Sequence, residues 1–199
     1  MILFFDTETT GFPHKSKPLD HPDQPYVIQL AAILAEENGD VRSSFSFLID
    51  PGVTNGVRIP SGAAAVHGID EERLWRLGGF PYTAMNAFER MYVRADMIVG
   101  HNISFDIEMM EIALSRTVVS QHDEPLTARR KLDLPAFCTM KSSTDICRIP
   151  SPRGGNKWPK LGEAYQHFFN EPFVGAHDAM NDVRACMRIY FHLKSIGAA

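Results

Sequence analysis

The chain of 199 residues has little cysteine, little tryptophan and no excess of positive charge. Its three cysteines, Cys138, Cys147 and Cys186, form no C-x-x-C pair and are odd in number. That argues against a disulfide framework or a zinc ribbon and predicts reduced thiols in a cytosol-like, cytoplasmic compartment. Lysine and arginine total 20 against 24 acidic residues, a formal net charge of −4. A generic polyanion binder usually carries a basic excess, so this balance counts against one. No apolar run approaches the ~20 residues that span a bilayer, and no membrane association is expected. The opening MILFFDTE lacks a basic start, and acids interrupt its apolar run at once, which is unlike a signal peptide. There is no internal repeat and no low-complexity segment.

What is present is an ordinary globular balance, 44% hydrophobic and 22% charged. The length predicts a single domain over residues 1–199 with a sizeable core. Residues 1–6 read as a strand apolar on both faces, hence central in a sheet. YVIQLAAIL (26–34) and VRSSFSFLI (41–49) read as strands joined at Asn38-Gly39, a hairpin signal. SGAAAVHGI predicts a short helix ending near Gly68, and DEERLWRL another with Asp70 as N-cap. Helical spacing continues over 82–95, with Met85, Phe88 and Tyr92 on one face. DMIVGHN reads as a strand and SFDIEMMEIALSR as a helix, with Ile107, Met110 and Leu114 on one stripe. Residues 117–158 are irregular, with a strand near LPAFC and a helix near TMKSSTDI. KLGEAYQHFF predicts a helix starting near Pro159, and residues 178–194 a terminal helix carrying Val183, Cys186, Met187 and Tyr190. This order predicts an α/β domain with a mixed sheet.

Acids interrupt this pattern in three places. Asp6 and Glu8 alternate with Thr7 along the first strand and so project to one side, at its C-terminal end. Two carboxylates there suit a hard cation such as Mg²⁺ or Mn²⁺; a capped surface loop explains D-x-E equally well. In VGHNISFDIEMM, Asp106 falls in the first turn of a helix. It complements the helix dipole or serves as a further metal ligand. Asn102 and Ser104 fit as caps there, and His101 has no forced role. In GAHDAMNDVRAC, His177 precedes Asp182 by five positions. On one continuous helix the two would diverge by ~140°, so His177 is expected in the loop before it, with Gly175 allowing the turn. Asp178, four residues before Asp182, shares its face and competes for the ligand role; it reads as an N-cap or first-turn acid, with Asp182 as the ligand. Taken alone, His177 also reads as a surface histidine.

FDTETTG, HNISFD and H-D-A-M-N-D, in this order, together resemble the DEDDh, or DnaQ-like, family of 3′–5′ exonucleases in the ribonuclease-H-like superfamily. The resemblance spans Asp6 to Asp182. It implies a mixed sheet of three antiparallel and then two parallel strands flanked by helices. It implies that Asp6, Glu8, Asp106 and Asp182 bind two divalent metal ions, Mg²⁺ or Mn²⁺, and that His177 is the general base. The spacing H-x-x-x-x-D is that of the histidine subtype. In the tyrosine subtype the base lies four residues before the last acid, where this chain has Asp178. AVHGI resembles a family segment whose histidine lies near the terminal nucleotide, which places His67 at the substrate site or, on the plainer reading, at a helix end. Thr9, Thr10, Gly11, Phe12, Asn102 and Phe105 complete the expected substrate-binding set. KWPKLGEAYQHFF resembles a stretch of some phage-encoded members, which implies a bacterial or phage-infected cell.

The chemistry agrees. Four clustered carboxylates repel one another unless cations join them, and two divalent ions about 3.5–4 Å apart serve both the attacking and the leaving oxygen of a phosphodiester. The cluster then attracts a phosphate, so the net charge of −4 no longer excludes nucleic acid. A histidine suits a base working near neutral pH. Phe12 and Pro13 suit stacking on a terminal base, or a hydrophobic loop anchor. Lys15, Lys17, Arg153, Lys157, Trp158 and Lys160 suit a groove that tracks the strand, or plain solvated loops. The expected activity is release of nucleoside 5′-monophosphates from the 3′ ends of single-stranded DNA, in proofreading or repair. A DNA polymerase or replication and repair proteins are the expected partners, and a monomer or homodimer the expected state. RNA trimming, a hydrolase acting on small nucleotides and a non-catalytic nucleic-acid-binding module are the alternatives.

Overall fold

A computed structural model describes residues 1–117 and 131–199. Three strands come first: β1 (Ile2–Thr9), β2 (Val27–Ala35) and β3 (Val41–Leu48). Three helices follow, α1 (Ser61–His67), α2 (Glu71–Leu77) and α3 (Pro81–Tyr92). Then come β4 (Met97–Gly100), α4 (Ile103–Arg116), β5 (Ala136–Cys138), α5 (Thr139–Cys147), α6 (Leu161–Phe169) and α7 (Ala179–Ser195). The strands form one sheet in the order β3-β2-β1-β4-β5. β1–β2 and β2–β3 pair antiparallel, β1–β4 and β4–β5 parallel. This is the mixed ribonuclease-H-like sheet expected.

Alternation along β1 divides the core into two layers. Ile2 and Phe4 join Ala31, Ile33 and Val99 beneath Val183, Cys186 and Tyr190 of α7. Leu3 and Phe5 join Leu30, Ala32 and Ile98 against Phe88 of α3 and Met109 and Met110 of α4. Phe4 and Phe5 are 0% and 1% exposed. Burying each contributes about 1.5–3 kcal/mol, and both are satisfied in one register only. A slip by one residue would carry Asp6 and Glu8 to the wrong face.

Several boundaries differ from the sequence reading. β1 runs to Thr9 instead of stopping at Asp6, because β2 continues to pair with it through Asp6↔Ala31, Glu8↔Gln29 and Thr9↔Val27. The acidic pair therefore stands on the strand itself. The helix expected over 82–95 ends at Tyr92, where Arg94 and Ala95 N–H groups turn back to the Met91 and Tyr92 carbonyls. The terminal helix starts after Asp178, which stands outside as its N-cap. The smaller features hold. Gly39 takes φ 94° in the β2–β3 turn, and Asp70 accepts the Arg73 N–H at 2.8 Å. Gly68 caps α1 in the left-handed region. The strand and helix expected near LPAFC and TMKSSTDI are β5 and α5, while residues 118–130 of the irregular stretch lie outside the described residues. The Glu163 carboxylate accepts the Lys160 N–H at 2.8 Å at the start of α6. The three cysteines are free thiols. Among the described residues no helix is long and apolar enough to cross a membrane.

Candidate metal centre

Asp6 and Glu8 follow Ile2 and Phe4 in parity and therefore face the α7 layer. Thr7 faces the other layer, where α4 lies. There its N–H and its hydroxyl both donate to Asp106 Oδ1, at 3.0 and 2.8 Å. Asp106 stands in the first turn of α4 and is 3% exposed. The turn that delivers it is tight: a Cβ on Gly100 would lie 2.7 Å from Ile103 Cδ1. One centre thus draws carboxylates from both faces of the sheet.

The fourth acid arrives on α7. Asp182 is buried, and its Oδ2 accepts the His177 N–H at 3.1 Å. His177 is exposed in the loop before the helix, with φ 65°. A left-handed backbone is uncommon for a residue with a side chain, and this one sets a histidine beside the acids. Asp178 accepts the Asn181 N–H at 3.2 Å and caps the helix, as expected. One ligand atom each from Glu8, His177 and Asp182 lie within 4.8 Å of one another.

The acids are costly in this state. Burial, and after it the charges of Asp182, Asp106 and Asp178, push Glu8 up to about 8. Burial raises Asp106 to about 7, although the two Thr7 hydrogen bonds oppose the shift. Burial raises Asp182 to about 7, with Asp178 adding to it. Asp6 is raised well above the usual carboxylate range by burial and then by Asp106, Asp182 and Glu8. The Asp182 Oδ1 atom is buried without a hydrogen-bond partner among the described residues. Oxygen donors of this kind suit Mg²⁺ or Mn²⁺, and a cation at the cluster would satisfy both the orphaned oxygen and the crowded charge. The residues present fit such ions.

Of the expected substrate residues, Phe12 and Phe105 come together, edge to face at 5.8 Å between ring centroids. Phe12 is 82% exposed. A cleft of about 760 Å³ opens beside it, lined by Thr10, Gly11, His14, Asn55 and Arg58 among others. Thr9 and Thr10 serve the local backbone: Thr9 Oγ1 donates to the Gly11 carbonyl at 2.9 Å, and Thr10 Oγ1 accepts the Tyr26 N–H at 2.9 Å. His67 ends α1, and its Nδ1 accepts the Ile69 N–H at 3.0 Å. Its Nε2 is without a hydrogen-bond partner among the described residues. Burial lowers its pKa against an opposing pull from the Thr9 backbone, and the His177 and Arg73 charges add lesser lowering. Asn102 occupies the N-cap position of α4 but makes no capping hydrogen bond, contrary to expectation. Its φ of 70° departs from the extended backbone that aims a cap side chain at the helix N–H groups. Lys15, Lys17 and Lys157, expected along a strand path, pair with Glu108, Asp23 and Glu163.

Two residues went unread in the sequence. Thr7 was only the middle letter of D-x-E, yet strand parity aims it at the face opposite the two acids. His101 links three segments: Nδ1 meets Thr139 Oγ1 at 3.0 Å and Nε2 meets the Pro159 carbonyl at 2.9 Å. Burial lowers its pKa to about 4. No local pattern signals that pairing, because its partners lie 38 and 58 residues away.

The sheet order is ribonuclease-H-like, and the carboxylates of Asp6, Glu8, Asp106 and Asp182 gather at its central strands. The chain belongs to the exonuclease family RNase T, which matches residues 3–190. No curated protein sequence matches it significantly. Among solved structures it is similar to Escherichia coli exonuclease I bound to a dA16 oligonucleotide, with TM-score 0.73 and 19% identity over 98% of this chain and 40% of that one. The same enzyme with dT13 gives TM-score 0.72 and 18% identity over 98% and 41%. Exonuclease I from Methylocaldum szegediense gives 0.71 and 17% over 98% and 40%. The chain therefore spans about two fifths of the length of these structures.

Proposed function

We propose that the chain is a single metal-dependent 3′–5′ exonuclease domain that releases nucleoside 5′-monophosphates from the 3′ end of single-stranded DNA. The observation that carries this reading is the convergence of Glu8, His177 and Asp182 within 4.8 Å, with a buried Asp182 oxygen left unpaired. Asp6, Glu8, Asp106 and Asp182 would hold two divalent ions. When bound, such ions supply an acidified water and neutralise charge on the departing 3′ oxygen. His177 takes the proton of the attacking water on its imidazole, from a loop that leaves the ring open to solvent. Thr7 holds Asp106 in place. Phe12, backed by Phe105, offers a face for the terminal base, and the cleft beside it takes the neighbouring nucleotide. The setting is proofreading or repair, in company with replication or repair proteins.

The test is a 5′-labelled single strand, with its 3′ end free or blocked, in Mg²⁺ or EDTA. Stepwise shortening only with Mg²⁺ and a free end is expected. Metal-independent cleavage, or equal internal cutting of the blocked strand, sinks the proposal. Asp182→Ala should abolish shortening, while Asp178→Ala leaves a measurable rate; the reverse order would make Asp178 the ligand. An RNA strand of the same sequence separates DNA from RNA preference.

A further inference from the structure

Gln29 lies on β2 directly opposite Glu8. It faces the α7 layer and is only 4% exposed. A buried amide needs partners for both its ends, and here the partners belong almost wholly to the start of α7. Nε2 donates to Asp178 Oδ2 at 3.1 Å and more loosely to Ser46 Oγ at 3.4 Å. Oε1 accepts the Ala179 N–H at 3.2 Å. That N–H is one of the donors which a helix leaves unpaired in its first turn. The other Asp178 oxygen is already taken by the Asn181 N–H.

On the far side of His177 the chain is held as well. Asn181 Nδ2 donates to the Gly175 carbonyl at 3.1 Å. Gly175 takes φ 80°, and a Cβ there would lie 2.6 Å from that same Nδ2. His177 thus stands between two fastened points, itself in a left-handed backbone that a histidine does not choose freely. Of the two points, one is local to α7 and the other is tied to the sheet by Gln29.

We propose that Gln29 is a positioning residue: through Asp178 and Ala179 it fixes the entry of α7, so that His177 and Asp182 meet Glu8. The inference rests on the exonuclease reading for its effect on turnover. Glu8 and Gln29 are cross-strand neighbours, so one rigid strand pair sets the spacing between the ligand on β1 and the two groups arriving with α7. The amide is specific to the task. It donates to Asp178 while accepting from the helix, and it adds no further negative charge beside the acids. A merely space-filling residue would not need both ends.

The test exchanges donor and acceptor. Gln29→Glu keeps the shape and the acceptor for Ala179 but sets an oxygen against Asp178. In Gln29→Glu/Asp178→Asn the amide of the new asparagine donates to the new carboxylate, its carbonyl still accepts the Asn181 N–H, and the local charge is unchanged. On a 5′-labelled oligothymidylate with Mg²⁺, Gln29→Glu should lower kcat about 10–100-fold with little change in KM. The double variant should return to within about threefold of wild type. Amide hydrogen exchange over residues 175–182 should quicken in Gln29→Glu and slow again in the double variant. Thermal melts establish folding. Gln29→Met, which removes both bonds without adding charge, should shift both readouts in the same direction and stands in if Gln29→Glu does not fold. Wild-type kcat and exchange in Gln29→Met, or a double variant no better than Gln29→Glu in either readout, overturns the proposal. A wild type that never shortens the strand while exchange responds as described overturns the exonuclease reading and leaves the clamp standing.

Discussion

Thr7 gives both its backbone N–H and its hydroxyl to one oxygen of Asp106, at 3.0 and 2.8 Å. The two residues are 99 positions apart, and the Thr7 side chain points to the face of β1 opposite Asp6 and Glu8. Thr7→Val keeps the volume and the N–H and removes the hydroxyl. It should lower kcat about tenfold while the melting transition moves by no more than one hydrogen bond's worth, about 1 kcal/mol. Thr7→Ser should retain most of the rate. Initial rates on a labelled single strand and a thermal melt check both; equal rates for Thr7→Val and wild type would remove Thr7 from the site.

Stability should depend on metal and pH together. The folded protein raises Glu8 to about 8 and Asp106 and Asp182 to about 7, from ordinary values near 4. A raised carboxylate binds its proton more tightly in the folded chain than in the unfolded one. Its contribution is full below the ordinary value and is lost as pH rises through the folded one. In EDTA the melting temperature should therefore fall between pH 6.5 and 8, near the folded values of these acids. Mg²⁺ should restore it most at the top of that range and least at the bottom. A melting temperature in EDTA that is flat or rising across this window would contradict the site as described.

His101 acts in the opposite direction at lower pH. Burial holds its folded pKa at about 4 against an ordinary 6.5, so the unfolded chain binds the extra proton. Its contribution is present above the ordinary value and is lost as pH falls toward the folded one, by about 3 kcal/mol in all. The imidazole should stay neutral in a ring titration followed by NMR down to about pH 5. Protonation near 6.5 in the folded state would mean that the contacts to Thr139 and Pro159 are not kept.

Phe12 should matter to binding more than to chemistry. It is exposed, and Phe105 supports its ring from the side. Base stacking of this kind contributes about 1–3 kcal/mol per base. Phe12→Ala should raise KM for a short oligonucleotide about tenfold or more and leave the melting temperature near that of wild type. An unchanged KM would return Phe12 to the role of a loop anchor.

Much of this was readable from spacing. Alternation placed Asp6 and Glu8 on one side of β1, and Asn38-Gly39 marked the first hairpin. The bend that removes His177 from the helix followed from its five-residue distance to Asp182. What the sequence did not disclose are relations across the chain. The extension of β1 to Thr9 depends on β2 continuing to pair with it. The failure of Asn102 as a cap depends on a left-handed backbone set by the turn after β4. His101 and Gln29 look unremarkable in their own segments, because the groups they satisfy belong to distant ones. Local pattern reports which face a side chain takes; it does not report who waits there.

Asp6, Glu8 and Asp182 belong to the α7 layer and Asp106 to the α4 layer, so the centre straddles the seam between two separately packed halves. A gauge set across such a seam registers any relative slide of the halves. Methyl-sized repacking deep in either layer, at Val183 on one side or Met109 on the other, should therefore disturb the spacing of the acids before it loosens the chain as a whole. Core variants that leave the acids themselves unchanged, melt normally and work poorly would be the mark of a protein whose alignment is more delicate than its cohesion.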